Sequence, residues 1–276
     1  MMVALLAKRP QSHRLARQSE NSPRVLVPQT LVLTKRMLLR WSRDLPTVLQ
    51  TLIVPILLLV TLDTVLGRQI TSISGHDALY GSVPMVAIVA TISGSSVGAL
   101  GLIRERADGL LARLWALPVH RASGLLSRFV AEAVRILVTS TVILAAGMAL
   151  GFRFQQGGAA ALAWLAVPVV FGLAFATLVT AVAFYSATTT LVEAIALVNT
   201  LGIFFCTGFV PLEQYPRWIQ PVVEHQPMSY AIDAMRGFSL SGPIAWPMTA
   251  TLLWAGGIVA VCLVPMVLGY RKASMH

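Results

Sequence analysis

Charge is what this sequence has least of. Only 12% of its 276 side chains are Asp, Glu, Lys or Arg, and 56% are apolar; soluble domains carry about a quarter charged residues. So little charge argues against a water-facing surface over most of the chain. Cysteine is nearly absent. Cys206 and Cys262 lie far apart in different apolar stretches, which excludes a disulfide framework or a cysteine metal site and leaves small packing residues. Lysine is confined to Lys8, Lys35 and Lys272, so the basic side chains are almost all arginine. No Gly-x-x-x-x-Gly-Lys-Ser/Thr sequence occurs, so the chain has no recognisable phosphate-binding loop of its own. The apolar patch before Lys8 and Arg9 is too short for a secretory signal, and the first full span is expected to act as an uncleaved anchor.

What is present is a succession of long apolar runs. Stretches of 18 or more apolar residues with few charges mark membrane-spanning helices. They place spans at about 46–66, 83–103, 129–150, 162–185, 191–210 and 248–270. The expected fold is an all-α integral membrane domain of six helices over 44–272. Pro55 is the expected kink of the first span and Gly67 its expected stop. Residues 1–23, polar and basic, read as a flexible tail. Over 24–43, Arg36, Arg40 and Arg43 alternate with Leu31, Met37, Leu38, Leu39 and Trp41, the pattern of an amphipathic helix lying at the membrane surface.

The net charge of +10 could suit a nucleic acid, but the cations flank apolar spans. That placement reads as topology and contact with anionic lipid. With the N-terminus inside, sixteen cations fall in the inner segments and four (Arg68, Arg153, Arg217, Arg236) in the outer ones. Both termini are therefore expected in the cytoplasm of a multi-pass protein of the cytoplasmic membrane.

Enzyme signatures are weak. Gly94-Ser95-Ser96-Val97-Gly98 matches the Gly-x-Ser-x-Gly nucleophile elbow, but it lies inside a span and no histidine falls within one. Two glycines four apart fit close helix packing instead. Among charged groups within spans, Asp63 is expected near the outer end of the first, and Glu132 and Arg135 are spaced to pair. No histidine, cysteine or carboxylate cluster suggests a metal.

The segment after the second span mixes Arg104, Glu105, Arg106, Asp108 and Arg113 with Gly109, Leu110, Leu111, Leu114, Trp115, Leu117 and Pro118. Charged and apolar groups interleaved on a short helix suit docking into a partner's cleft. Arg104-Glu105, Gly109, Leu111 and Leu117-Pro118-Val119 resemble the coupling region of ABC-2 type permeases. The resemblance extends to Arg43-Asp44 before the Pro55 span, and to Gly208-Phe209-Val210-Pro211-Leu212, Tyr215-Pro216-Arg217-Trp218 and the run from Gln226 and Pro227 through Tyr230, Asp233 and Arg236 to Gly237. Together these cover residues 24–270 in the family's order. Within the family the chain most resembles the daunorubicin-resistance permeases, especially the branch that exports phthiocerol dimycocerosate lipids.

The resemblance implies a permease without catalytic residues or cofactor. It would work with a second permease chain, identical or paralogous, and with ATP-binding cassette subunits that bind ATP and Mg. It implies that 104–121 fits a groove on the ATP-binding subunit, and that prolines 211, 216, 221 and 227 break 211–242 into re-entrant helices beside the outer leaflet. It also places a lateral cargo route beside the first and fifth helices. Thr61, Asp63 and Asn199 are the candidate residues there, and such sparse charge favours a lipid or hydrophobic drug. The rival expectation, a secondary transporter with no ATP-binding partner, calls for inverted repeats, and none is apparent.

Overall fold

The computed structural model describes residues 23–109, 120, 122–186 and 188–275. Among them all regular structure is helical. Helix α1 (Pro23–Arg43) precedes α2 (Leu45–Ser74), α3 (Leu79–Ala107), α4 (Ser123–Leu150) and α5 (Gly158–Tyr185). Helices α6 (Thr190–Ile203), α7 (Gln220–His225) and α8 (Pro227–Leu240) lead to α9 (Ala245–Met275). Five of these, α2, α3, α4, α5 and α9, are long and apolar enough to cross a membrane.

The hub is α3, which packs on α2, α4, α5, α6 and α8. Val83 and the run Met85 to Ile88 are all fully buried, as a helix surrounded by protein on every side requires. Small residues let its neighbours approach. An added Cβ on Gly147 of α4 would lie 2.7 Å from Val83, and one on Gly172 of α5 would lie 2.2 Å from Thr91. Such close approach drives packing where lipid offers no hydrophobic contrast. Peripheral α2 and α9 instead expose large apolar side chains, among them Leu57, Val65, Leu253 and Val261.

Two sequence expectations move. The first span does not stop at Gly67, which is helical at φ −53°; the helix ends at Gly75, whose φ of 72° makes it the left-handed cap. Asp63 is consequently well inside α2, not in its last turn. At Pro55 the chain answers the missing N–H by widening the turn before it, so that Val54 N–H donates to the Leu49 carbonyl, five residues back. The fifth span, expected over 191–210, is helical for only 14 residues and ends at Ile203. That is about 21 Å of helix, short of the roughly 30 Å hydrocarbon core.

An aromatic nest holds the α4–α5 connection. The Phe152 ring centroid lies 5.2 Å from that of Tyr80, 5.3 Å from Phe154 and 6.3 Å from Trp164, and Phe152 and Trp164 are fully buried. Arg153 Nη1 donates to the Met148 carbonyl at 2.6 Å, satisfying the end of α4.

Candidate functional site

Polar chemistry gathers at the two ends of the bundle and at one point between them. At the basic end, α1 lies along α4 with Thr30, Thr34, Met37 and Trp41, spaced at i, i+4, i+7 and i+11, turned inward. The Thr34 hydroxyl donates to the Ser127 carbonyl at 3.3 Å, and Gln29 Oε1 accepts from His120 N–H at 2.7 Å. The outward face carries Leu31, Val32 and Leu39 with Lys35, Arg36, Arg40 and Arg43, an amphipathic surface suited to an interface.

Glu105, in the last turns of α3, joins three elements. Its Oε1 accepts from Arg40 Nη1 of α1 at 3.0 Å, and its Oε2 pairs with Arg128 of α4. The Arg40 side chain is 71% exposed, whereas those of Arg128 and Glu105 are 17% and 18% exposed. The Arg128 arm is therefore the stronger one, because water screens the other. Arg106 reaches sideways, donating to the carbonyls of Phe184 at 2.7 Å and Ser186 at 3.3 Å and so closing the C-terminus of α5. Arg104 and Asp108 stay exposed, and Gly109 takes a left-handed φ of 68° as the chain leaves α3. Leu111, Arg113, Leu117 and Pro118 lie outside the described residues, as do residues 1–22.

Inside the bundle Glu132 and Arg135 pair across one helical turn. Arg135 Nε donates to Glu132 Oε2 at 3.0 Å, and Ser95 of α3 donates to Glu132 Oε1. The guanidinium lies over Gly94, where a Cβ would come within 1.6 Å of Nη1. Ser96 is committed to its own helix, donating to the Ile92 carbonyl at 3.0 Å. The Gly-x-Ser-x-Gly stretch is thus a packing seat for an arginine, with no nucleophile elbow.

At the opposite end the broken helix after Ile203 is clamped by side chains of the following segment. Tyr215 donates to the carbonyls of Phe204 at 3.2 Å and Cys206 at 3.0 Å, and Gln226 donates to that of Phe205. Arg236 donates to the Thr207 carbonyl and to Asp233 at 3.2 Å, and Thr207 Oγ1 donates to Asp233 at 2.8 Å. Burial pushes the Tyr215 phenol up to about 12, so it remains a donor, and raises the Asp233 carboxyl against the opposing pull of Arg236. The loop sits directly on α3, since a Cβ on Gly81 would lie 2.2 Å from the Gly208 carbonyl oxygen. Protein side chains thus satisfy the irregular backbone that follows the helix.

The chain matches the ABC-2 type transporter family over residues 28–239. It belongs to that family. Over 258 residues, 94% of either chain, it is 53% identical to the "Probable doxorubicin resistance ABC transporter permease protein DrrC" of Mycobacterium tuberculosis, in strains CDC 1551 and H37Rv. It is 22% identical over 204 residues, 74% of this chain and 72% of the relative, to the daunorubicin resistance ABC transporter permease protein DrrB1 of Streptomyces coeruleorubidus.

In this ABC-2 chain, then, Arg40 and Glu105 belong with Arg128 to one network, Arg106 separately holds the end of α5, and Asp233 and Arg236 belong to a third group. Pro211 and the exposed Trp218 lie in the segment between α6 and α7, Pro227 opens α8, and Tyr230 and Gly237 are buried along it. Thr61 and Asn199 turn their polar groups onto their own helices, to the carbonyls of Leu57 at 2.7 Å and Ile195 at 2.8 Å. Arg128 and Thr207 are missing from the sequence-derived candidates. Their partners are 23 and 26 residues away, so no local spacing could mark them. Among the described residues no group of His, Cys, Asp or Glu is arranged for a metal.

Proposed function

We propose that this chain is the permease subunit of an ATP-driven exporter carrying a hydrophobic amphiphile, a drug or a complex lipid, out of the cytoplasmic membrane. The observation that carries the reading is the wiring of Glu105 and Arg106. They sit where α3 emerges at the basic end and tie the hub helix to α1, α4 and α5. A push on the segment that begins at Arg104, Asp108 and Gly109 reaches four elements at once. In this reading the segment 104–121 docks on an ATP-binding cassette subunit, with Leu111, Arg113, Leu117 and Pro118 completing the docking surface. ATP and Mg are bound there, and their energy reaches this chain only as a shift between conformations.

The basic end faces the cytoplasm, in keeping with the sixteen-to-four distribution of cations. Residues 44–272 act as one transmembrane domain. Helix α1 lies at the inner interface through Arg36, Arg40 and Arg43, with Trp41 turned from that face toward the bundle, and α7 and α8 dip into the outer leaflet. The exposed apolar faces of α2 and α6, including Leu57, Val65, Leu197 and Leu201, meet a second permease chain and lipid. Thr61, Asp63 and Asn199 flank the cargo route there. The drug-resistance names of the relatives favour a hydrophobic cargo.

The test is a mild-detergent pull-down of tagged chain from native membranes, with mass analysis and an ATPase assay. An ATP-binding subunit that co-purifies, and is lost on charge reversal at Glu105 and Asp108, is the expected result. A chain that moves cargo in vesicles without any nucleotide-hydrolysing partner refutes the proposal.

A further inference from the structure

Between α1, α2, α3 and α4 lies a cavity of about 130 Å³, walled by Trp41, Thr51, Gly98, Glu132 and Arg135 among others. A second, of about 60 Å³, shares Gly98, Arg128 and Glu132 with it. Two buried donors on its wall have no hydrogen-bond partner, Arg135 Nη1 and Trp41 Nε1. Arg135 is only 6% exposed, and both oxygens of its neighbour Glu132 already accept from Arg135 Nε and Ser95. Buried donors without acceptors are costly and rare, and each asks for a ligand or water.

The charges decide which ligand. The ionic groups on the wall of the larger cavity are two cations, Arg128 and Arg135, and one carboxylate, Glu132, so the lining itself is positive; Glu105, which pairs with Arg128, does not line it. The space is that of about four water molecules, enough for a phosphate group but not for a whole amphiphile. On the same two helices that supply Trp41, Thr47 and Thr51 to the cavity wall, Leu39 of α1 and Leu45, Leu49 and Ile53 of α2 are exposed, apolar surface along which acyl chains can lie. Basic pockets between membrane helices are a recognised setting for lipid head groups, and ionisable residues at this depth are rarely without a role.

We propose that this cavity seats the phosphate of one anionic phospholipid. The phosphate oxygens accept from Arg135 and Trp41, and the acyl chains lie between α1 and α2. The site is separate from the docking segment and does not depend on what the protein exports. It binds a resident lipid that fixes α1 against α2 and α4.

The experiment is native mass spectrometry of the detergent-purified protein, with whatever subunit accompanies it, titrated with phosphatidylglycerol or phosphatidylcholine. One phosphatidylglycerol should be held about tenfold more tightly than phosphatidylcholine. Gly98→Leu should abolish the preference by filling the space, since a Cβ there meets only Glu132 Oε2 at 3.9 Å. Trp41→Phe keeps an aromatic ring but removes the donor, and should weaken retention about fivefold; it carries the test alone should Gly98→Leu misfold. Equal retention of the two lipids, or an unchanged preference in Trp41→Phe, overturns the proposal. So does displacement of the lipid by about 10 mM inorganic phosphate, which would make this a site for a small oxyanion. Co-purification of the ATP-binding subunit should be the same in native and variant chains, so that loss of the lipid is distinct from loss of the transport partnership.

Discussion

Replacing Gly94 by alanine tests the interior architecture most sharply, because the ordinary expectation has the opposite sign. In the middle of an exposed helix, Gly→Ala gains about 1 kcal/mol. At Gly94 the new methyl would stand 1.6 Å from Arg135 Nη1 and 2.3 Å from Cζ. The guanidinium must leave, and with it goes a buried ion pair with Glu132, whose carboxylate is then held by Ser95 alone. Breaking such a pair costs about 3–5 kcal/mol, so the net loss is about 2–4 kcal/mol once the helix gain is subtracted. At about 2–4 °C per kcal/mol for chains of this size, the melting temperature in detergent should fall by roughly 5 °C or more. Gly101, on the same helix, is the control: a Cβ there meets nothing within 4 Å, so Gly101→Ala should be neutral or stabilising. The assay is thermal unfolding followed by size-exclusion fluorescence. The cost of Gly94→Ala should shrink in a Glu132→Gln/Arg135→Met background, where no pair remains to be displaced. If Gly94→Ala melts with Gly101→Ala, the arginine does not rest on the glycine and the reasoning fails.

Other outcomes follow from the same geometry. Glu105→Arg sets a third cation beside Arg40 and Arg128; membrane insertion should be normal while transport in vesicles falls at least about tenfold. Asp108→Lys combined with Arg113→Glu should likewise uncouple transport with insertion intact, and a native transport rate in that pair rules out the docking role. Arg236→Gln removes the charged donor to the Thr207 carbonyl and should lower stability by about 1.5–3 kcal/mol, read as earlier proteolysis within 204–215. Gly81→Ala should do comparable damage from the other side, because its methyl meets the Gly208 carbonyl oxygen at 2.2 Å. In Gly81→Ala, native melting and transport would show that the loop is not seated on α3.

The sequence by itself determined the solvent. Long apolar runs with cations at their borders have no stable alternative to membrane helices, because every backbone group must be satisfied within the segment. Local spacing likewise made Glu132 and Arg135, three residues apart, a legible pair. The motifs from Arg104 to Pro118 and from Gly208 to Gly237 carry the family resemblance in the sequence itself. Tertiary structure decided where helices end and which charges meet. Read from the sequence, the first span stops at Gly67, and only the folded chain puts the left-handed φ at Gly75. Nothing local ends α6 at Ile203, since the apolar run continues to Val210. It can end there because Tyr215, Gln226 and Arg236, distant in sequence, supply donors to the carbonyls the helix gives up. Glu105 could be suspected from its motif, but its hold on Arg40 and Arg128 arises only when α1, α3 and α4 pack together. A pattern along the chain records which groups need partners, whereas folding in three dimensions chooses the partners.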